Sequence, residues 1–124
     1  MGDRANFGFR DRKGDTVFLY GHWAGFKMLE TLANAVKVAE PRWTDESYAT
    51  RICISNMIGP AWEPLTGWGI TVNELSDNEH KVPVIDWSKN TFTLYEEDLQ
   101  TVVFSMPIDL FVNKYSQLEV PAMV

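Results

Sequence analysis

The chain has 124 residues, the length of one ordinary domain, and its 45% hydrophobic and 13% aromatic content is typical of a folded rather than a disordered protein. One cysteine and two histidines exclude an intrachain disulfide and the zinc sites that clusters of these residues form. The formal net charge of −6 is uneven: residues 1–51 carry eight Lys or Arg against seven Asp or Glu, and residues 52–124 carry three against ten. The acidic second half disfavours DNA or RNA as a partner.

The N-terminal segment is charged from Asp3 onward and no apolar stretch follows it, so we expect no signal peptide. The longest uncharged apolar run is much shorter than a membrane span. We therefore expect a cytoplasmic protein without a membrane partner. Cys53 lies between Ile52 and Ile54 with no base nearby in the sequence, which favours an inert buried thiol over a nucleophile.

The first half of the chain predicts a β-hairpin followed by two helices. The hairpin rests on alternating apolar and polar residues, then on a β-branched and aromatic run, on either side of a polar loop. The helices rest on apolar side chains spaced three and four residues apart, with Pro41 ending the first and Gly59 ending the second. The predicted elements are strands over 5–10 and 16–20 and helices over 24–40 and 46–58.

The second half predicts a strand meander and a last helix. Its elements are strands over 67–73, 82–87 and 91–96, a fourth strand over 101–104, and a helix from about Ser105 to Tyr115. Residues 116–124 have no periodicity and are expected to form a tail that is either loose or docked on a partner.

This order predicts a single α+β domain spanning residues 1–124. Its antiparallel sheet combines the N-terminal hairpin with the C-terminal meander, and two to three helices pack mainly on one face. One apolar core is expected, formed by Phe7, Phe9, Leu29, Leu32, Val36, Ile52, Phe92 and Leu94.

The segment from Leu19 to Gly25 is the strongest candidate for a ligand site, because it lies where the second strand hands over to the first helix. His22 is able to donate to a phosphate or act as a base, and Trp23 is able to stack on a planar ring. A helix start after Trp23 would offer free N–H groups to an anion. The alternative is structural: His22 caps the helix or bonds a loop carbonyl, and Trp23 covers the core edge.

Two arginines extend this candidate site. Hairpin pairing places Arg4 opposite His22, and Arg51 is a cation on an otherwise apolar helix. Their structural alternatives are a surface carboxylate pair for Arg4 and a helix-surface role for Arg51. The predicted ligand-binding residues are thus Arg4, Tyr20, His22, Trp23 and Arg51, with no catalytic residue, metal ligand or cofactor assigned.

Two acidic segments are weaker candidates. The turn Asp77-Asn78-Glu79-His80 sets carboxylates beside an imidazole, and residues 96–98 are three consecutive acids. For the turn, chance adjacency is the better explanation in a chain with 17 acidic residues. Residues 96–98 resemble a divalent-metal site only superficially, since neighbouring strand residues point to opposite faces. No phosphate-binding loop, dinucleotide-binding, metalloprotease, serine-hydrolase or calcium-loop motif is present.

The chain resembles a group of small uncharacterised proteins encoded by bacteriophages and prophages over about its first 95 residues. The segments that carry the resemblance are Met1-Gly2-Asp3-Arg4-Ala5-Asn6, Leu19-Tyr20-Gly21-His22-Trp23-Ala24-Gly25, Tyr48-Ala49-Thr50-Arg51-Ile52 and Asp77-Asn78-Glu79. The resemblance implies a phage origin and a setting in the host-cell cytoplasm. It implies no established activity and therefore no catalytic residue.

Three functions stay open. The leading hypothesis is a non-enzymatic phage accessory protein, with an anti-defence role as its sharpest form, that binds a host or phage protein or a small anionic ligand. The second is a small hydrolase that acts on a phosphorylated or nucleotide-like substrate through Arg4 and His22. The third is a virion or assembly component that works through contacts between copies, as a homo-oligomer.

Overall fold

A computed structural model describes residues 2–116, so the predicted tail lies outside the described residues except for Ser116. One six-stranded sheet has the spatial order β3-β2-β1-β4-β5-β6, and three α-helices accompany it. In chain order the elements are β1 (Ala5–Arg10), β2 (Thr16–Gly21), α1 (Met28–Val38), α2 (Glu46–Ile58), β3 (Trp68–Val72), β4 (Val82–Asp86), β5 (Thr91–Tyr95), β6 (Val102–Pro107) and α3 (Ile108–Tyr115). The predicted α+β class is confirmed.

The sheet departs from the expected pattern at two pairs of strands. The expected meander placed β3 beside β4, but β3 pairs with β2 at the edge of the sheet. The hairpin forms as predicted, with Ala5 opposite Gly21, and the meander β4-β5-β6 is antiparallel. However, β4 lies beside β1 and runs parallel to it. The sheet is therefore mixed rather than fully antiparallel, because the chain leaves β3 at one edge and crosses two strands before it forms β4.

The connection that makes this crossing, residues 73–81, runs over the face of the sheet opposite the helices. Leu75 from this connection packs on a small apolar cluster of Phe18, Val82 and Val84. The connection also buries Asn6 completely, although strand alternation pointed this side chain away from the main core. Both faces of the central strands are thus covered.

The main core lies between the other face and the helices, where α1 packs against both α2 and α3. Phe92 and Phe111 stack with ring centroids 3.9 Å apart. Six of the eight predicted core residues are buried, while Leu29 and Ile52 are partly buried at its margin. No helix within residues 2–116 has the length and apolar character needed to cross a membrane.

Two helix starts differ from the prediction. α1 begins at Met28, four residues later than expected, because the preceding residue Lys27 has a left-handed backbone with φ 54°. β6 continues to Pro107 through the expected start of α3, since Ser105 pairs with Thr93 and its hydroxyl bonds the carbonyl of Phe92.

Candidate functional site

The end of β2 and the approach to β3 enclose a cavity of about 770 Å³, which we call the junction cavity. Three of the five predicted site residues line it together. The lining residues are Tyr20, His22, Trp23, Ala61, Thr66, Gly67 and Trp68. Aromatic rings therefore form most of its wall, on a backbone that the sheet holds in place.

His22 is fixed through both its backbone and its ring. Its N–H donates to the carbonyl of Gly67 at 2.9 Å, and its carbonyl accepts from the N–H of Asp3 at 2.8 Å. Its Nδ1 atom lies 2.8 Å from the Tyr20 hydroxyl, and Nε2 lies so near Gly2 that a Cβ there would sit 2.7 Å away. The ring is thus oriented by Tyr20 and the N-terminal segment, and it caps no helix.

Trp23 presents its indole to solvent. Its relative accessibility is 66%, and its ring meets the His22 ring edge-on, with centroids 4.8 Å apart. An indole that covered the core edge would be largely buried, so this alternative for Trp23 was wrong. The exposed indole is therefore free to stack on a planar ring.

Trp68 is the wall residue that the sequence interpretation missed. It pairs with Gly21 in the sheet, and a Cβ on Gly21 would lie 2.8 Å from its Cζ3 atom. The absence of a side chain on Gly21 therefore permits the indole to pack closely against the β2 backbone. The one available signal was a tryptophan at the start of a predicted strand, since the pairing of β3 with β2 is not evident from the sequence.

Arg4 lies opposite His22 in the hairpin, as expected, but its side chain points elsewhere. The Arg4 guanidinium is 3.8 Å from the Asp77 carboxylate and 3.4 Å from the Glu79 carboxylate. The backbone N–H of Arg4 also donates to Glu79 Oε1 at 2.8 Å. The hydrogen bond from the Arg4 N–H, together with the nearby guanidinium, lowers the pKa of Glu79. Arg4 therefore forms the carboxylate pair considered as its alternative and does not line the junction cavity.

Arg51 is also separated from the junction cavity. It is exposed on α2, where its guanidinium donates to Ser55 one turn later at 3.3 Å. It lines a different cavity of about 390 Å³ between α2 and the β3 edge, with Ile54 and Ile70. The structure thus brings together Tyr20, His22 and Trp23 and leaves both arginines outside.

The expected anion-binding helix start was wrong. The N–H of Ala24 donates to Gly21, the N–H of Gly25 donates to Asp3, and α1 begins only at Met28. Among the described residues, no lysine, arginine or carboxylate lines the junction cavity. Its chemistry suits an uncharged planar ring better than a phosphate.

The second imidazole belongs to a structural network next to the cavity. His80 Nε2 lies 2.5 Å from Asp3 Oδ1, and Gly25 packs so tightly on this pair that a Cβ at that position would force the two side chains to move. Nearby, Asn6 donates to the carbonyl of Asp77 at 3.0 Å. The N-terminal residues Asp3 and Asn6, the segment after β2 that contains Gly25, and the turn over 77–80 are far apart in the sequence but in contact in the structure.

Neither a metal nor a thiol site emerges from the described part of the chain. No group of three or more His, Cys, Asp or Glu side chains within residues 2–116 is placed to hold a metal ion. Cys53 is buried, and burial raises the pKa of its thiol to about 12. The thiolate form needed for nucleophilic attack is thus scarce at neutral pH.

Comparison with protein-family models, curated proteins and solved structures gives no match for this chain.

Proposed function

We propose that this protein is a small, non-enzymatic accessory protein that binds an uncharged planar aromatic molecule in the junction cavity. The observation that carries the proposal is the convergence of Tyr20, His22, Trp23 and Trp68 on one cavity of about 770 Å³. This volume falls within the roughly 300–1,000 Å³ of typical ligand sites. The two indoles supply stacking surface, and the Tyr20–His22 pair supplies donors and acceptors for ring substituents.

The resemblance to bacteriophage and prophage proteins supports the biological setting of the proposal. A phage accessory protein that sequesters a host metabolite or signal in the host-cell cytoplasm acts by binding alone. An anti-defence role is the most specific form of this function. Nucleic acid is not proposed as a partner, because the chain is acidic overall.

The hydrolase hypothesis receives less support from the same geometry. The Nδ1 atom of His22 faces the Tyr20 hydroxyl, whereas a catalytic imidazole is commonly oriented by a carboxylate. No acidic side chain of the described residues lines the junction cavity to supply one. Arg4, the second residue of that hypothesis, is engaged by Asp77 and Glu79.

A titration with three probes tests the proposal: adenosine, indole and adenosine monophosphate, followed by the amide and indole signals in NMR spectra of the full chain. We expect adenosine or indole to shift the signals of Tyr20, His22 and Trp23, and the phosphate to add no affinity. Trp23→Ala should weaken binding about tenfold, since stacking on one aromatic ring contributes about 1–3 kcal/mol. Its thermal melt should stay within a few degrees of wild type, because the ring is mostly exposed.

Trp62→Ala is the matched control. Trp62 is 75% exposed and does not line the junction cavity. This variant should bind as wild type does. No response to any probe at millimolar concentration, or equal losses in both variants, would refute the proposal, and turnover of a phosphorylated probe would favour the hydrolase instead.

A further inference from the structure

The Trp23 indole has few contacts of its own that would hold it in place. It is mostly exposed, and within residues 2–116 its one aromatic contact is with the edge of the His22 ring. Phe26, on the same stretch between β2 and α1, is 76% exposed. The direction of the Trp23 ring therefore depends on the backbone of residues 22–25, which we call the junction segment.

The backbone of Asp3 holds the junction segment on both sides of Trp23. The N–H of Asp3 donates to the carbonyl of His22 at 2.8 Å, and the carbonyl of Asp3 accepts from the N–H of Gly25 at 2.9 Å. The bond inside this stretch, from the N–H of Ala24 to the carbonyl of Gly21, is long at 3.4 Å. The residue before Trp23 and the second residue after it are thus both tied to Asp3.

The side chain of Asp3 is tied in turn to the 73–81 connection. Its Oδ1 atom meets His80 Nε2, and the two side chains are only partly exposed, at 41% and 32%. A Cβ on Gly25 would lie 2.1 Å from His80 Nε2 and 2.3 Å from Asp3 Oδ1, so the junction segment packs directly on this pair. The side chain of Asn78 donates to the carbonyl of His80. A continuous chain of contacts therefore links the connection to the backbone on both sides of Trp23.

We propose, on the basis of the ligand-binding function proposed for the junction cavity, that Asp3 is a positioning residue of this site. Held by His80, Asp3 fixes the junction segment so that the Trp23 indole faces the cavity before a ligand arrives. Neither Asp3 nor His80 lines the junction cavity, so the pair acts on a ligand through Trp23. A ring that is already ordered loses less conformational entropy on binding.

The first test uses NMR spectra of the full chain without a ligand. Asp3→Ala removes the contact with His80 and keeps the backbone N–H and carbonyl of residue 3. We expect faster backbone motion over residues 22–25 and a displaced indole N–H signal of Trp23. Asp3→Asn keeps a side-chain oxygen that accepts from His80 Nε2–H, so it should restore the wild-type spectrum.

Asp98→Ala is the matched control, since it also removes a carboxylate that supports a local turn. The Asp98 carboxylate accepts from the N–H of Gln100 and from the N–H and hydroxyl of Thr101, between β5 and β6. It does not line the junction cavity. This variant should leave the signals of residues 22–25 and the affinity for a ligand unchanged.

The second test is a double-mutant cycle with adenosine and indole as the probes. Asp3→Ala should weaken binding about fivefold, the effect expected when one side chain must be ordered on binding. In a Trp23→Ala background, Asp3→Ala should cause no further loss, because its effect passes through the missing ring.

The two tests separate this proposal from the ligand-binding proposal. If wild type binds neither probe, the ligand-binding function is refuted, and the spectra without ligand still decide whether Asp3 positions Trp23. Unchanged motion and an unchanged Trp23 signal in Asp3→Ala would overturn the positioning role. An equal loss of affinity with and without Trp23, or the same changes in Asp98→Ala, would also overturn it.

Discussion

The buried side-chain amide of Asn6 tests how the 73–81 connection is held against the sheet. Its Nδ2 group donates to the carbonyl of Asp77 at 3.0 Å and to Asn78 Oδ1 at 3.1 Å, and its Oδ1 accepts from the N–H of Ser76 at 3.2 Å. Asn6→Ala removes all three bonds. At about 1 kcal/mol net for each bond, the free energy of unfolding should fall by roughly 2–4 kcal/mol. For a domain of this size, the melting temperature should fall by roughly 10 °C.

Urea unfolding followed by tryptophan fluorescence measures this change, with Asn56→Ala as the matched control. Asn56 is exposed on α2, where alanine is the better helix former, so its replacement should leave stability equal or slightly higher. Asn6→Asp should cost more than Asn6→Ala, because it keeps the shape, removes the donors and buries a charge. An Asn6→Ala variant within about 0.5 kcal/mol of wild type would show that the 73–81 connection does not depend on this amide.

Leu32 is completely buried, so Leu32→Ala should lower the free energy of unfolding by about 2–5 kcal/mol. Leu65 is fully exposed, so Leu65→Ala should change it by no more than about 0.5 kcal/mol. Equal losses for the two variants in chemical denaturation would contradict the placement of α1. The hydrogen bond from the Arg4 N–H lowers the pKa of Glu79 below its ordinary value of 4.5, so its contribution to stability is present above pH 4.5 and is lost as the pH falls through the lowered pKa. Glu79→Gln should therefore make the free energy of unfolding less dependent on pH below 4.5. Curves of unfolding free energy against pH that are identical for the variant and the wild type would contradict this prediction. Cys53 should resist a thiol reagent at pH 8 until the chain is unfolded, since burial raises its pKa to about 12; rapid native labelling would indicate an open core.

The local elements could be predicted because short-range patterns determine them. α2 spans Glu46–Ile58, the predicted range, which ends at Gly59 as expected, and the hairpin register follows from its loop. The position of β4 beside β1 could not be predicted, since alternation within a strand does not identify its neighbour.

The residues of the candidate site show the same difference between local and long-range features of the sequence. Tyr20, His22 and Trp23 are close in sequence and share the junction cavity, whereas Trp68 joins them through the non-local pairing of β3 with β2. Arg4 was placed opposite His22 by the hairpin, but its side chain follows the carboxylates that the 73–81 connection brings to it. Residue spacing in the sequence does not identify charge partners that lie this far apart along the chain.

The central place of β1 has a consequence for the order in which the protein matures on the ribosome. β1 is synthesised some 75 residues before its neighbour β4 and before His80, the partner of Asp3. Until then, one side of β1 lacks its ladder and the amide of Asn6 lacks its bonds to the 76–78 segment. The nascent chain therefore carries an open strand edge until the segment from Ser76 to Asp86 has been made, and an open edge of this kind is prone to wrong pairing.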